Sequence, residues 1–196
     1  MPTVLSHSFV AVSSSLGFWA AKNHWKLMIL SIFCSVFPDV DVIGYHWFYI
    51  PYHSFFGHRG FFHSPFFAAV LSLLIVTFFY QKVTPFTKRR WLFLYFFILT
   101  TSHGILDALT DGGQGIALLS PFSNQRYFFP WTPLEVSPLS LQSFLSQRGF
   151  NVIRNELLWI WIPSFFIAVF INLLRNRNKN GGDGCQRNGA LSRNSN

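Results

Sequence analysis

Residues 61–80 read FFHSPFFAAVLSLLIVTFFY, a stretch without a single Lys, Arg, Asp or Glu. About 20 such residues are what a helix needs to cross the hydrocarbon core of a bilayer, where the backbone must satisfy its own polar groups. Four further apolar segments follow the same pattern, at residues 4–21, 27–37, 91–110 and 157–174. Of these, residues 91–110 and 157–174 join 61–80 as convincing spans. Pro38, Asp39 and Asp41 interrupt the second segment before the apolar character resumes at residues 42–50, so that segment is either a half-span or a helix that begins before Trp25. A soluble domain of 196 residues needs a charged surface, yet half of this chain is apolar and only seven residues are acidic. The expected fold is therefore all-α: a polytopic helical bundle with about five membrane-embedded helices.

The formal charge of +8 does not point to nucleic acid, because the basic residues flank the apolar blocks, where topology and lipid headgroups account for them. Lys22 and Lys26 lie in the first connection, Lys82, Lys88, Arg89 and Arg90 in the third, and Arg175, Arg177 and Lys179 after the last span. Arg59, Arg126, Arg148 and Arg154 fall in the opposite connections. This asymmetry places the N-terminus outside and the C-terminus in the cytoplasm. Lys22 follows the first apolar block rather than preceding it, the reverse of a secretory signal, so that block reads as a retained helix.

Residues 111–156 are rich in Gly, Pro and aromatics and suit an ordered cap on the outer face. From residue 176 onward the composition turns to Asn, Gly, Ser and Arg with little to bury. The chain thus divides into a membrane-embedded domain, residues 1–175, and a polar, disordered tail, residues 176–196.

On this topology His7, Asp39, Asp41, His58, His63, His103 and Asp107 all fall at or near the outer ends of their segments. His103 and Asp107 share one face of a helix and form the strongest pair. Asp39 and Asp41, one residue apart after Pro38, reach inward together only from an irregular turn. Carboxylates near bilayer depth cost roughly 3 kcal/mol each on insertion scales, which favours pairing, a solvated cavity or a bound cation. Cys34 sits in an apolar run and Cys185 in the tail, so the ligand set is imidazole and carboxylate, which suits zinc, manganese or iron in an open site. The bland reading assigns His24, His46 and His53 to interfacial hydrogen bonding and Asp111, beside two glycines, to a turn. Arg59 either binds a substrate phosphate or pairs with a carboxylate.

With these residues in view, FPDVDVIG at residues 37–44, HRGFFHS at 58–64 and HGILDALTDGGQGIALLSPFS at 103–123 resemble the signature of the YdjM-like family, bacterial inner-membrane proteins described as membrane-bound metal-dependent hydrolases. The resemblance covers about the first 125 residues. More distantly, an early His, then Asp, then His, then an HxxxD helix is similar to the ligand order of the zinc-dependent phospholipase C and P1 nuclease superfamily. That likeness implies His7, Asp39 or Asp41, His58 or His63, His103 and Asp107 as ligands of a divalent metal, foremost zinc. Glu135 and Glu156 have no histidine near them to complete a three-zinc site, so a reduced, dinuclear site is expected. The implied activity is hydrolysis of a phosphoester or lipid-linked ester, with Arg59 and Asp41 as catalytic residues and the outer leaflet as the substrate's route. The competing reading is a metal or proton transport protein without hydrolytic activity, although the residues gather at one end of the spans instead of running through the bilayer. A third is a structural membrane protein whose aromatic cap binds a partner.

Overall fold

The computed structural model describes residues 1–18, 24–138 and 140–174. Among these the chain is helical, with isolated bridges in place of strands. Helix α1 (Val4–Gly17) is capped by Thr3, whose hydroxyl accepts from the Ser6 amide, and packs along α2, while Gly17 lies against Ile171. Helix α2 (His24–Val36) continues through a 3-10 turn, Phe37–Val40, into α3 (Asp41–Trp47). The second segment is therefore the helix that begins before Trp25, and its apolar part, His24–Tyr45, is long enough to span.

Helix α4 (Pro65–Phe79) corrects the expected third span. Ser64 caps it by accepting from the Phe67 amide and Pro65 occupies its first turn, so Phe61–His63 forms a separate 3-10 turn outside the helix. The remaining 15 residues are shorter than a full span requires. Helix α5 (Phe86–Ala108) is long enough, as is the last helix, which runs Gln147–Leu174 and contains a π-helical turn at Leu157–Trp161. We label the short helix Leu141–Phe144 α6 and this last helix α7. By length and composition three helices can cross a membrane, with α1 and α4 as shorter apolar helices packed among them.

Leu27, Leu30 and Cys34 of α2 meet Phe67, Leu71, Ile75 and Val76 of α4 and Leu92 and Phe96 of α5, and form the core. The outward faces are equally apolar: Ile29, Phe33, Leu73, Phe78, Ile98, Phe166 and Phe170 are all exposed. A band of that kind is stable only against lipid. Only 11% of the most apolar stretch of α7 is buried within the protein, so this helix lies largely against the bilayer.

Two anchors tie the ends together. The Glu156 carboxylate, fully buried, accepts from the Thr3 amide (2.5 Å), the Thr3 hydroxyl (2.5 Å) and the Ser6 hydroxyl (2.6 Å), while the Trp161 indole donates to Ser6 Oγ at 2.7 Å. Of the segment 111–156 expected as a cap, residues 111–138 fold back over the bundle, while residues 147–156 are the start of the last helix: the Asp111 amide donates to the Leu134 carbonyl, the Leu134 amide donates to the Leu109 carbonyl, and Ile116 pairs with Tyr127. Asp111 Oδ1 accepts from the Val136 amide, the turn role its glycine neighbours suggest. Lys22, the basic residues 175–179 and the proposed tail 176–196 lie outside the described residues, as does the side chain of His46.

Candidate metal centre

Each element delivers its side chain for a local reason. Pro38 opens the 3-10 turn, and this irregular geometry lets Asp39 and Asp41 both turn inward. His58 and Arg59 come from the connection between α3 and α4, where Arg59 adopts φ 60°, a left-handed conformation that bulky residues rarely hold. That conformation aims the Arg59 amide at Asp41 Oδ2 (3.0 Å), while its carbonyl accepts from the Ala117 amide (3.0 Å). His63 ends its 3-10 turn directly over α5. A Cβ added at Gly104 would lie 2.5 Å from the His63 carbonyl oxygen, so only glycine lets α5 pass this close. His103 and Asp107 flank that glycine on the buried face of α5.

His63 Nε2, His103 Nε2, Asp39 Oδ1 and Asp107 Oδ2 converge. His63 Nε2 is 3.1 Å from His103 Nε2, 3.2 Å from Asp107 Oδ2 and 3.6 Å from Asp39 Oδ1. His103 Nε2 is 3.4 Å from Asp39 Oδ1 and 4.0 Å from Asp107 Oδ2. Tetrahedral ligands at about 2.0–2.1 Å from a zinc ion stand about 3.3–3.4 Å from one another, in the middle of this range. His103 Nδ1 donates to the Ser35 carbonyl at 2.7 Å, which fixes the ring and leaves the Nε2 lone pair facing the cluster.

A second group shares two of these residues: Asp39, Asp41, His58 and His63 also bring ligand atoms within 4.8 Å of one another. Here His58 Nδ1 meets Asp41 Oδ1 at 2.7 Å, and His63 Nδ1 lies 3.2 Å from Asp41 Oδ2. Each group could hold a metal ion, with Asp39 and His63 between them. His7 completes the wall: its ring stacks on His103 with centroids 3.9 Å apart, and its Nε2 stands 3.8 Å from Asp107 Oδ1.

The electrostatics call for a cation. Both carboxylate oxygens of Asp39 and of Asp107 are buried without a hydrogen-bond partner, as are both ring nitrogens of His7. Groups of this kind are costly unless paired or bound to a metal. Burial alone would push the His63 imidazole down, but Asp41 beside it, with Asp107 and Asp39, holds it well above the usual histidine range. In the absence of a metal a proton on His63 supplies the positive charge that the carboxylates require.

Arg59 is almost fully buried. Its Nε lies 3.5 Å from Asp107 Oδ2, Nη1 donates to the Gly112 carbonyl and Nη2 to Thr110 Oγ1. It therefore pairs with a carboxylate and also holds the cap loop, where Gly113, at φ 92°, lies against the guanidinium. Arg126 fastens the same loop by donating to the carbonyls of His58 (2.8 Å) and Tyr52 (2.5 Å). Beside the centre a cavity of ≈ 380 Å³ is lined by Tyr52, His58, Arg59, Ser137, Ser140 and Arg148, among others, with no carboxylate in its wall. His24 and His53 are exposed and belong to neither ligand group.

Neither Arg126, Arg148 nor Thr110 stands out in the sequence, and Ser35 contributes only a carbonyl, which no side-chain pattern reveals. The HG pair at residues 103–104 is the one local signal of close helix approach.

A helical bundle with an apolar exterior and a buried His/Asp cluster under a cap defines a polytopic membrane protein with a site that could hold a metal ion. Residues 1–178 match the family model described as YdjM inner membrane protein, and the chain belongs to that family. It is 37% identical over 167 residues to Inner membrane protein YbcI of Escherichia coli (strain K12), covering 85% of this chain and 95% of that protein. No solved structure matches.

Proposed function

We propose that this chain is a membrane-bound metal-dependent hydrolase acting on a phosphoester or lipid-linked ester at the extracytoplasmic face of the inner membrane. The observation that carries the reading is the pair of buried ligand groups sharing Asp39 and His63, beside a carboxylate-free cavity. A bound divalent cation would polarise the scissile group and lower the pKa of an attacking water. Asp39, His63, His103 and Asp107 are assigned as its first ligands. Asp41, 3.2 Å from His63 Nδ1, places its charge behind that histidine, and with His58 and the shared residues offers a second position. Arg59 steadies Asp107 and adds positive charge to the cavity wall, where anionic charge develops during ester hydrolysis. Arg148, exposed at the cavity and without an ion pair among the described residues, is available to a substrate anion. The cap restricts water at the side of the centre that faces away from the bilayer.

The distribution of Lys and Arg supports the outward orientation. The deciding experiment is elemental analysis of the purified protein combined with a screen of phosphomonoesters, phosphodiesters and lipid phosphates, with His103→Ala as control. Metal-dependent turnover lost in His103→Ala is expected. Stoichiometric metal with no turnover of any ester would transfer the reading to metal binding or transport.

A further inference from the structure

At the end of the bundle opposite the metal centre, a groove of ≈ 330 Å³ runs between α4 and α5, with Leu73, Val76 and Thr77 on one wall and Phe86, Phe93 and Leu94 on the other. Arg89 and Arg90 stand in its lining. Arg89 Nε is buried without a hydrogen-bond partner, and neither guanidinium has an ion pair among the described residues. Among the described residues no carboxylate is available to them. Of the seven acidic residues, Asp39, Asp41 and Asp107 lie in the metal centre and Asp111, Glu135 and Glu156 in or beneath the cap, while Asp183 falls outside the described residues. Asp107 is about 26 Å from Arg90 along α5, at roughly 1.5 Å per residue.

A cation beside an apolar trough at the edge of a bilayer requires a ligand that is anionic at one end and apolar at the other. Ordinary interfacial arginines extend into bulk water or headgroups, whereas here one guanidinium nitrogen is already withdrawn from solvent beside a trough of a volume typical of ligand sites. We propose that this groove binds one anionic phospholipid, its phosphate between Arg89 and Arg90 and part of an acyl chain along Leu73, Val76 and Phe93. Basic pockets between helices are a known mode of headgroup recognition, and the bound chain would bridge α4, which is too short to span alone, to α5. The site is independent of any hydrolytic activity.

The test uses the full-length protein in neutral detergent, with dioleoyl phosphatidylglycerol, dioleoyl phosphatidylcholine and inorganic phosphate as separate probes. Native mass spectrometry counts retained lipid, and thermal unfolding reports stabilisation. One phosphatidylglycerol is expected to be retained in preference to phosphatidylcholine and to raise the melting temperature. Arg89→Gln with Arg90→Gln is expected to weaken retention roughly thirty-fold, at about 1 kcal/mol per arginine. Lys82→Gln with Lys88→Gln, which removes equal charge from the same end but outside the groove lining, is expected to keep it. Should the arginine pair fail to fold, Thr77→Phe, which fills the groove and leaves both charges, is expected to abolish the preference. Equal retention of the two lipids, equal losses in the lysine and arginine pairs, unchanged retention in Thr77→Phe, or the same stabilisation by inorganic phosphate alone would each overturn the proposal.

Discussion

Single side chains in the centre differ in what they risk. Asp107 meets His63, His7 and Arg59 through its two oxygens, so Asp107→Asn leaves a buried arginine without its counter-charge as well as removing a ligand. It is expected to abolish stoichiometric metal and to destabilise the fold. Asp41→Asn keeps the shape but replaces the carboxylate behind His63 with a neutral amide, and should lower metal affinity by about 10–100-fold without unfolding the protein. Isothermal titration with zinc on detergent-solubilised protein separates the two. His63 also sets the pH response. With its pKa raised in the folded, metal-free protein, its ion pairs stabilise that state fully below about pH 6.5, the unfolded value, and the gain disappears as pH rises through the folded value. Zinc must displace the proton, so its binding should release protons and strengthen with pH, whereas the metal-free protein should lose stability over the same rise. Titration in two buffers of different ionisation enthalpy measures the released proton, and an uptake of protons on binding would remove His63 from the ligand set. For Arg148→Gln the expected effect is a KM for an anionic ester raised roughly ten- to hundred-fold with kcat little changed, as for loss of one charged hydrogen bond to the substrate.

At the scale of elements, the centre depends on how closely α5 passes beneath the His63 turn. Gly104→Ala places a methyl 2.5 Å from the His63 carbonyl oxygen, backbone that cannot swing aside. The turn must lift, so metal binding should fall sharply while far-ultraviolet circular dichroism remains helical. A variant with unchanged zinc affinity would show that the turn is slack. The pairing of His103 with Asp107 was legible from sequence because both sit on a regular helix, where spacing determines the shared face. The inward turn of both Asp39 and Asp41 was legible as a need for irregular backbone after Pro38, and the 3-10 turn supplies it. The start of α4 was not: hydropathy averages through Phe61–His63, while Pro65 and the Ser64 cap, which are local signals, start the helix later. Glu156 was equally hidden, because its partners Thr3 and Ser6 lie at the other end of the chain and pair by tertiary packing alone. Glu156→Ala leaves three donors unsatisfied and should cost several kcal/mol, at about 1–3 kcal/mol for each buried donor, in an unfolding titration.

Over the whole molecule, charge is divided between two ends. The described carboxylates gather in the centre and the cap, while Lys82, Lys88, Arg89 and Arg90 stand at the far end beside the Lys26 ammonium, which donates to the Phe79 carbonyl at the end of α4. Such a division makes orientation in the bilayer the property from which access follows, since a lipid or periplasmic ester reaches the cavity only if the cap faces outward. On the proposed orientation, in which basic flanks face the cytoplasm, the cap, with its exposed Phe122 and Trp131, would lie at the outer interface. The consequence is measurable in spheroplasts. On a background of Cys34→Ser and Cys185→Ser, Asn124→Cys in the cap should react with a membrane-impermeant maleimide. Thr84→Cys, between α4 and α5, should react only after permeabilisation. The opposite pattern would place the metal centre in the cytoplasm, and the substrate class proposed for it would then have to be one supplied from that side.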